Sequence, residues 1–156
     1  MIPITITKEE RALCANFATL LNEHRKAGKP TPKKRNDFYK GNLGEYGYGK
    51  YNKLPVNFVL TEAGKGDGGA DFPGVQIKTA TYDGDGELEL NVRVNDKCFT
   101  NPTVNKIVLM FLPLKESGLK VYIVGDISVD NFKKRCRISR YENTLVVDAS
   151  QLDNLY

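Results

Sequence analysis

Residues 67–80 read Asp67-Gly-Gly-Ala-Asp71-Phe-Pro-Gly-Val-Gln76-Ile-Lys78-Thr-Ala80. From Val75 onward the stretch VQIKTAT alternates as a half-buried strand does. On such a strand Gln76 and Lys78 point to one face while Val75, Ile77 and Thr79 point to the other. The glycine-rich approach, GKGDGGA at 64–70, predicts a turn. A tight turn through Pro73-Gly74 would then bring the Asp71 carboxylate beside the Gln76/Lys78 face. One acid, one amide and one ammonium gather at a small site.

Outward from this strand the chain reads as further strands. Residues 56–61 (VNFVLT) and 87–94 (ELELNVRV) fit strands, the second by strict alternation. Residues 106–112 (KIVLMFL) and 120–125 (KVYIVG) are near-continuous apolar runs, as in strands buried on both faces. A short strand is predicted at 144–148, and SQLDNL reads as a helical tail.

Helices flank the block. Thr7 and Glu10 form a T-x-x-E capping box. Leu13, Phe17, Leu20 and Leu21 follow at helical spacing, and Gly28 and Pro30 mark the stop, so a helix is predicted over 8–27. Residues 29–36, KPTPKKRN, are expected to be an extended basic loop held by two prolines. Residues 37–53 carry five aromatic residues and four glycines. A helix there needs tertiary support, because each glycine costs about 1 kcal/mol relative to alanine. Ser128 caps a short helix, VDNFKKRC. The order predicts one α/β (α+β) domain over 1–156, with a central mixed sheet of about five strands. Two helices pack on one side and one on the other.

Bulk composition narrows the function. The chain has 156 residues, 40% hydrophobic and 27% charged, an ordinary globular balance. No run of about 18 apolar residues occurs, which argues against a membrane-spanning helix, and MIPITITKEERALC does not look like a secretory signal. Cys14, Cys98 and Cys136 are far apart and His24 is the sole histidine, which argues against zinc and against a Ser/His/Asp triad. His24 is expected on the surface at a helix end, and the thiols are expected to be reduced in a cytoplasmic protein of a bacterial, phage or archaeal host. Charge is segregated. Residues 25–53 hold nine lysines and arginines against two acids, and residues 54–90 two against seven. A basic segment beside an acidic one suits a polyanion surface next to a cation site, and equally suits two solvated faces.

Phosphodiester hydrolysis would use these groups. Its transition state is anionic, and a divalent cation stabilises that charge and acidifies a bound water. Magnesium prefers hard oxygen ligands. Asp71 offers a carboxylate, Gln76 a neutral oxygen and Ile77 its main-chain carbonyl, while Lys78 can orient the water and offset charge on phosphate. Without any function, Gln76 and Lys78 would be an exposed strand face, and Asp67 and Asp71 a turn whose side chains bond their own backbone.

Asp71-x4-Gln76-x-Lys78 behind a helical glutamate resembles the PD-(D/E)XK nuclease superfamily, over roughly residues 38–125. The resemblance implies a restriction endonuclease-like core and a Mg2+- (or Mn2+-) dependent DNA endonuclease with no organic cofactor. It also implies Glu45, in GNLGEYGYGKY, as a fourth catalytic residue and metal ligand beside Asp71, Gln76 and Ile77. This chain departs from the family pattern in two ways. Its proline follows Asp71, and glutamine stands at 76 where an acid is usual. Asp67 competes as a ligand. Expected phosphate contacts are Lys33, Lys34, Arg35, Lys40, Lys50, Lys53, Lys133 and Lys134, with Tyr39, Tyr46, Tyr48 and Tyr51 interleaved or else in the core. A homodimer is expected, because two-fold symmetry sets two sites on opposite strands. The alternatives are an inactive DNA-binding module of the same fold, and an α/β protein in which the acidic turn is only a hairpin.

Overall fold

A computed structural model describes residues 1–24, 29–58, 60, 70–82, 87–113 and 120–156. Among these residues the fold is α+β, with a mixed five-stranded sheet, a second small sheet and three helices.

Strand β1 (Ile2–Thr5) leads into helix α1 (Lys8–Glu23). The capping box closes as expected: Glu10 N–H donates to Thr7 Oγ1 at 3.2 Å, and Thr7 N–H to Glu10 Oε2 at 2.7 Å. His24 is the exposed C-cap, so α1 ends before the expected residue 27, and 25–28 lie outside the described residues.

Helix α2 spans Pro32–Asn52 and overturns the expected basic loop over 29–36. Thr31 is its N-cap, accepting from Lys34 N–H at 3.2 Å, and Pro32 sits at the first helical position. There a proline loses no helical hydrogen bond and has the right φ, so this proline starts the helix. Packing explains Gly44, Gly47 and Gly49 of α2, though not Gly41. A Cβ on Gly44 would collide with Thr79 Oγ1 and stand 3.1 Å from Thr79 Cβ, and one on Gly47 would stand 3.1 Å from Val121 Cγ1. The helix backbone therefore lies directly on the sheet.

Strand β2 (Val75–Tyr82) pairs in parallel with β4 (Lys106–Pro113). Strand β5 (Lys120–Ser128) is antiparallel to both β4 and β1, giving the order β1-β5-β4-β2. A bulge shifts the register between Leu109 and Met110: Leu109 faces Gly125 while Met110 faces Ile123. The extra residue, Val124, joins the core on the side away from α2. The C-terminal β8 (Asn154–Leu155) adds to β5, and Asn154 and Tyr156 both hydrogen-bond the buried Asp126. The expected helical tail is instead a single 3-10 turn, Ala149–Gln151, followed by that strand.

Strand β3 (Glu89–Arg93), expected in the central sheet, leaves it and pairs with β7 (Thr144–Asp148), which also pairs with β6 (Arg137–Ile138). Alternation reveals which side of a strand is buried but not its neighbour. Residues 56–58, expected to begin a strand, belong to none, and 59 and 61–69 lie outside the described residues. Instead Phe58 stacks on Phe17 at 4.8 Å and closes the outside of the helix pair.

Two cores result. Leu43, Tyr48, Val75, Ile77, Val108, Met110 and Ile123 pack beneath α1 and α2. Leu90, Val92, Ile107, Leu109, Ile127 and Phe132 pack on the opposite face, under the second sheet and helix α3 (Val129–Arg135), which Ser128 caps. No helix among the described residues is long and apolar enough to cross a membrane.

Candidate active site

The approach to β2 is a β-turn. Asp71 N–H and Val75 N–H donate to Val75 O and Phe72 O, both at 2.9 Å. Pro73 and Gly74 hold the middle positions, and Gly74 has φ 77°, in the left-handed region that such a turn assigns to glycine. Asn105 closes over it: its N–H donates to Gly74 O at 3.0 Å, linking the turn to the start of β4.

This turn carries Asp71 back onto β2. Its Oδ2 accepts from Gln76 Nε2 and from Ile77 N–H, each at 2.6 Å. Gln76 Nε2 also donates to Ile77 O at 3.2 Å. The Gln76 side chain is buried, 6% exposed. Asp71, Gln76 and the Ile77 carbonyl thus converge on one point, currently held by the amide nitrogen. Rotating that amide by half a turn exchanges Nε2 for Oε1 and would set three oxygens side by side. One carboxylate, one amide and one carbonyl oxygen suit a hard divalent cation. Among the described residues no cluster of three or more His, Cys, Asp or Glu occurs. Asp67 lies outside them.

Lys78 follows Gln76 on the same face and pairs with Asp96. Its Nζ is 2.5 Å from Asp96 Oδ2, with the side chains 25% and 14% exposed. The other oxygen of Asp96 accepts from Cys98 N–H at 3.0 Å and so caps the 3-10 turn Lys97–Phe99. Burial pushes the Asp96 carboxyl up. The ammonium of Lys78 and the Cys98 N–H outweigh it, and the carboxyl lies below its ordinary range. Burial, followed by the Asp96 charge, pushes the Cys98 thiol up to about 12.

Asp96 is the site residue that sequence reasoning missed. Asn95-Asp96 after a strand marks a turn, but nothing local announces a partner 18 residues away.

Glu45 is half-buried on α2. That helix covers the face of β2 carrying Val75, Ile77 and Thr79. Gln76 and Lys78 are on the other face, and β2 ends the sheet order. A glutamate on α2 therefore approaches the Asp71 cluster only past the rim of the sheet. Its charge, behind burial, helps push the Cys14 thiol up to about 12.

The expected phosphate contacts divide. Lys33, Lys34 and Arg35 fill the start of α2, which has no acid in its first turn. Cations at a helix N-terminus oppose the helix dipole, and an anion bound there would relieve them. Lys34 Nζ meanwhile donates to Lys29 O at 3.2 Å. Lys40 is half-buried, and Lys53 is the exposed left-handed C-cap. Lys50 is a fold contact, 2.8 Å from Glu10 and 2.9 Å from Thr5 O. Lys133 and Lys134 end α3 in solvent, with Lys133 Nζ 5.9 Å from the Phe99 ring centre. Of the four tyrosines in α2, Tyr48 packs on Phe72 at 5.2 Å, Tyr46 bonds Glu10 and Tyr39 is half-buried, leaving Tyr51 exposed.

Compared with known proteins, the chain matches no family model, no curated protein and no solved structure.

Proposed function

We propose that the protein is a metal-dependent DNA endonuclease with a restriction endonuclease-like core, using Mg2+ or Mn2+ and acting as a homodimer. The observation that carries this reading is the convergence of Asp71 Oδ2, the Gln76 amide and Ile77 O, with Gln76 Nε2 2.6 and 3.2 Å from the two oxygens. These groups would hold the cation, with Glu45 completing its shell from the helix side. When bound, the cation supplies an acidified water and neutralises charge on phosphate.

The chain's own residues do the remainder. Asp96 fixes the Lys78 ammonium through one of its three N–H donors. Toward the described residues the other two make no hydrogen bond and would serve water and a phosphate oxygen, and an ammonium held in place needs no reorganisation as charge develops. Gln76 orients on Asp71, and the main-chain N–H of Ile77 fixes the carboxylate. Lys33, Arg35 and Lys53 offer exposed charge for the DNA backbone, and half-buried Lys34 adds to it, which positions a duplex without reading its sequence.

One observation favours an inactive DNA-binding module of the same fold. Asp71 Oδ2 already accepts two short hydrogen bonds, from Gln76 and Ile77, and is satisfied without a cation. The experiment that separates the readings is cleavage of supercoiled and linear DNA with Mg2+ or Mn2+ by wild type, Asp71→Ala and Lys78→Ala. Cleavage by wild type, lost in both variants with binding retained, supports the nuclease. Binding with no cleavage under any metal supports the module, and neither binding nor cleavage removes both.

A further inference from the structure

At the end of the second sheet Asn95, the chain neighbour of Asp96, lines a hollow of about 610 Å³ together with Arg93, Tyr141, Glu142, Asn143 and their neighbours. We infer that this hollow receives an unstacked nucleobase of the DNA strand whose phosphate lies at the Asp71–Lys78 site. The inference rests on the DNA reading of that site.

Three features point to a base. The first is an aromatic face. Tyr141 is 53% exposed, and the Arg140 guanidinium lies 5.2 Å from its ring centre. Bases stack on tyrosine rings and on arginine planes whatever their identity. The second is hydrogen-bonding capacity without hydrophobic burial. The exposed amide of Asn95 presents donors and an acceptor, and that of Asn143 keeps its acceptor and one N–H beside the bond that Nδ2 gives Glu142 at 3.4 Å, the set that a base edge needs. The third is a cation at the ring: within the hollow Arg93 balances Glu142, and Arg140, outside the lining but over Tyr141, is placed for the phosphate that comes with each base. The volume falls in the range of ligand pockets for molecules of nucleotide size.

The hollow is also held in shape. Ser139, buried at 8%, accepts from Tyr141 N–H at 3.2 Å and approaches Asn91 Oδ1 at 3.4 Å. Asn143 adopts φ 53°, a left-handed conformation that asparagine tolerates, and its carbonyl accepts from Val94 N–H at 3.0 Å. The loops 94–96 and 139–143 are therefore tied together across the hollow. Asn95 precedes Asp96 in the chain, one Cα step of about 3.8 Å, and Asp96 holds Lys78. A strand with one phosphate at Lys78 would then have a neighbouring nucleotide within reach of Asn95.

The test uses the full chain and a short fluorescein-labelled single-stranded oligodeoxynucleotide carrying one 5-iodouracil. Binding is read by anisotropy, base contact by photocrosslinking and peptide mapping, and nicking is measured in parallel with Mg2+ or Mn2+. Tyr141→Ala is expected to weaken binding about tenfold, and Tyr141→Phe, which keeps the ring face, by no more than about twofold. Ile138→Ala, 85% exposed and outside the hollow, is the unaffected control. The crosslink should map to 93–95 or 140–143. If Tyr141→Ala binds like wild type and the crosslink maps elsewhere, the base site is wrong, while Asp71-dependent nicking would leave the nuclease reading standing. If binding depends on Tyr141 but no metal supports nicking, the base site stands and the nuclease reading falls. An oligonucleotide that does not bind wild type at all overturns the base site.

Discussion

Lys78 Nζ and Asp96 Oδ2 lie 2.5 Å apart with both side chains largely out of solvent, joining the candidate catalytic strand to a turn of the second sheet. Because the folded Asp96 carboxyl is held below its ordinary value, its charge stabilises the fold above about pH 4, and that contribution is lost as pH falls further. Asp96→Asn is therefore expected to lose stability near neutral pH, by about 1–3 kcal/mol. Chemical denaturation should show the gap to wild type closing in strong acid. A gap that is independent of pH would show that the charge of Asp96 is not what matters. The same variant frees the Lys78 ammonium, so cleavage should slow more than DNA binding weakens.

Gln76 Nε2 stands 2.6 Å from Asp71 Oδ2, so Gln76→Glu sets two carboxylates in contact. Like charges this close cannot both ionise without a cation between them. We predict a lower melting temperature in chelator and a rise with added Mg2+ or Mn2+ that exceeds the wild-type rise, because a ligand that binds only the folded state stabilises it. Calorimetric scans with and without metal test this. An equal metal response in the two proteins would count against a cation position here.

Two glycines in one helix should respond oppositely to alanine. A Cβ at Gly41 meets nothing within 4 Å, so Gly41→Ala should stabilise by about 1 kcal/mol through helix propensity. At Gly44 the added carbon meets Thr79 Oγ1 and Cβ, so Gly44→Ala should destabilise by about 1–3 kcal/mol despite the same propensity gain. Urea unfolding of both variants decides it, and two shifts of the same sign would refute the close docking of α2.

The thiols should differ in reactivity. Burial raises Cys14 and Cys98 to about 12, leaving almost no thiolate at neutral pH, whereas Cys136 is partly exposed. Iodoacetamide near pH 8 should label Cys136 first in the native protein, and all three after denaturation. Rapid native labelling of Cys98 would contradict its packing beside Asp96.

Much of this arrangement was legible from local pattern, and the remainder depends on distance along the chain. The capping box of Thr7 and Glu10, the alternation over 75–81 and the apolar runs of β4 and β5 are local, and they appear where expected. The Pro73-Gly74 turn likewise sets Asp71 against Gln76 and Ile77. Short β1 and two-residue β6 and β8 carry too few residues for periodicity to be visible. Pro32 reads locally as part of a loop because the same ring that favours extended backbone before it also favours the first turn of a helix after it. The departure of β3 to a second sheet and the pairing of Asp96 with Lys78 are long-range facts, set by which surfaces meet and not by any window of sequence.

The glycines of α2 bear on when this protein becomes itself. Helix α1, with its capping box, can form within a microsecond or so, on the timescale of isolated helices. Helix α2 has weak intrinsic helicity and is held by the sheet on which Gly44 and Gly47 allow it to rest. It should therefore settle after β2, β4 and β5 have met, late in folding. Alterations along it should quicken unfolding while leaving the folding rate nearly untouched, which the two arms of a chevron plot would resolve.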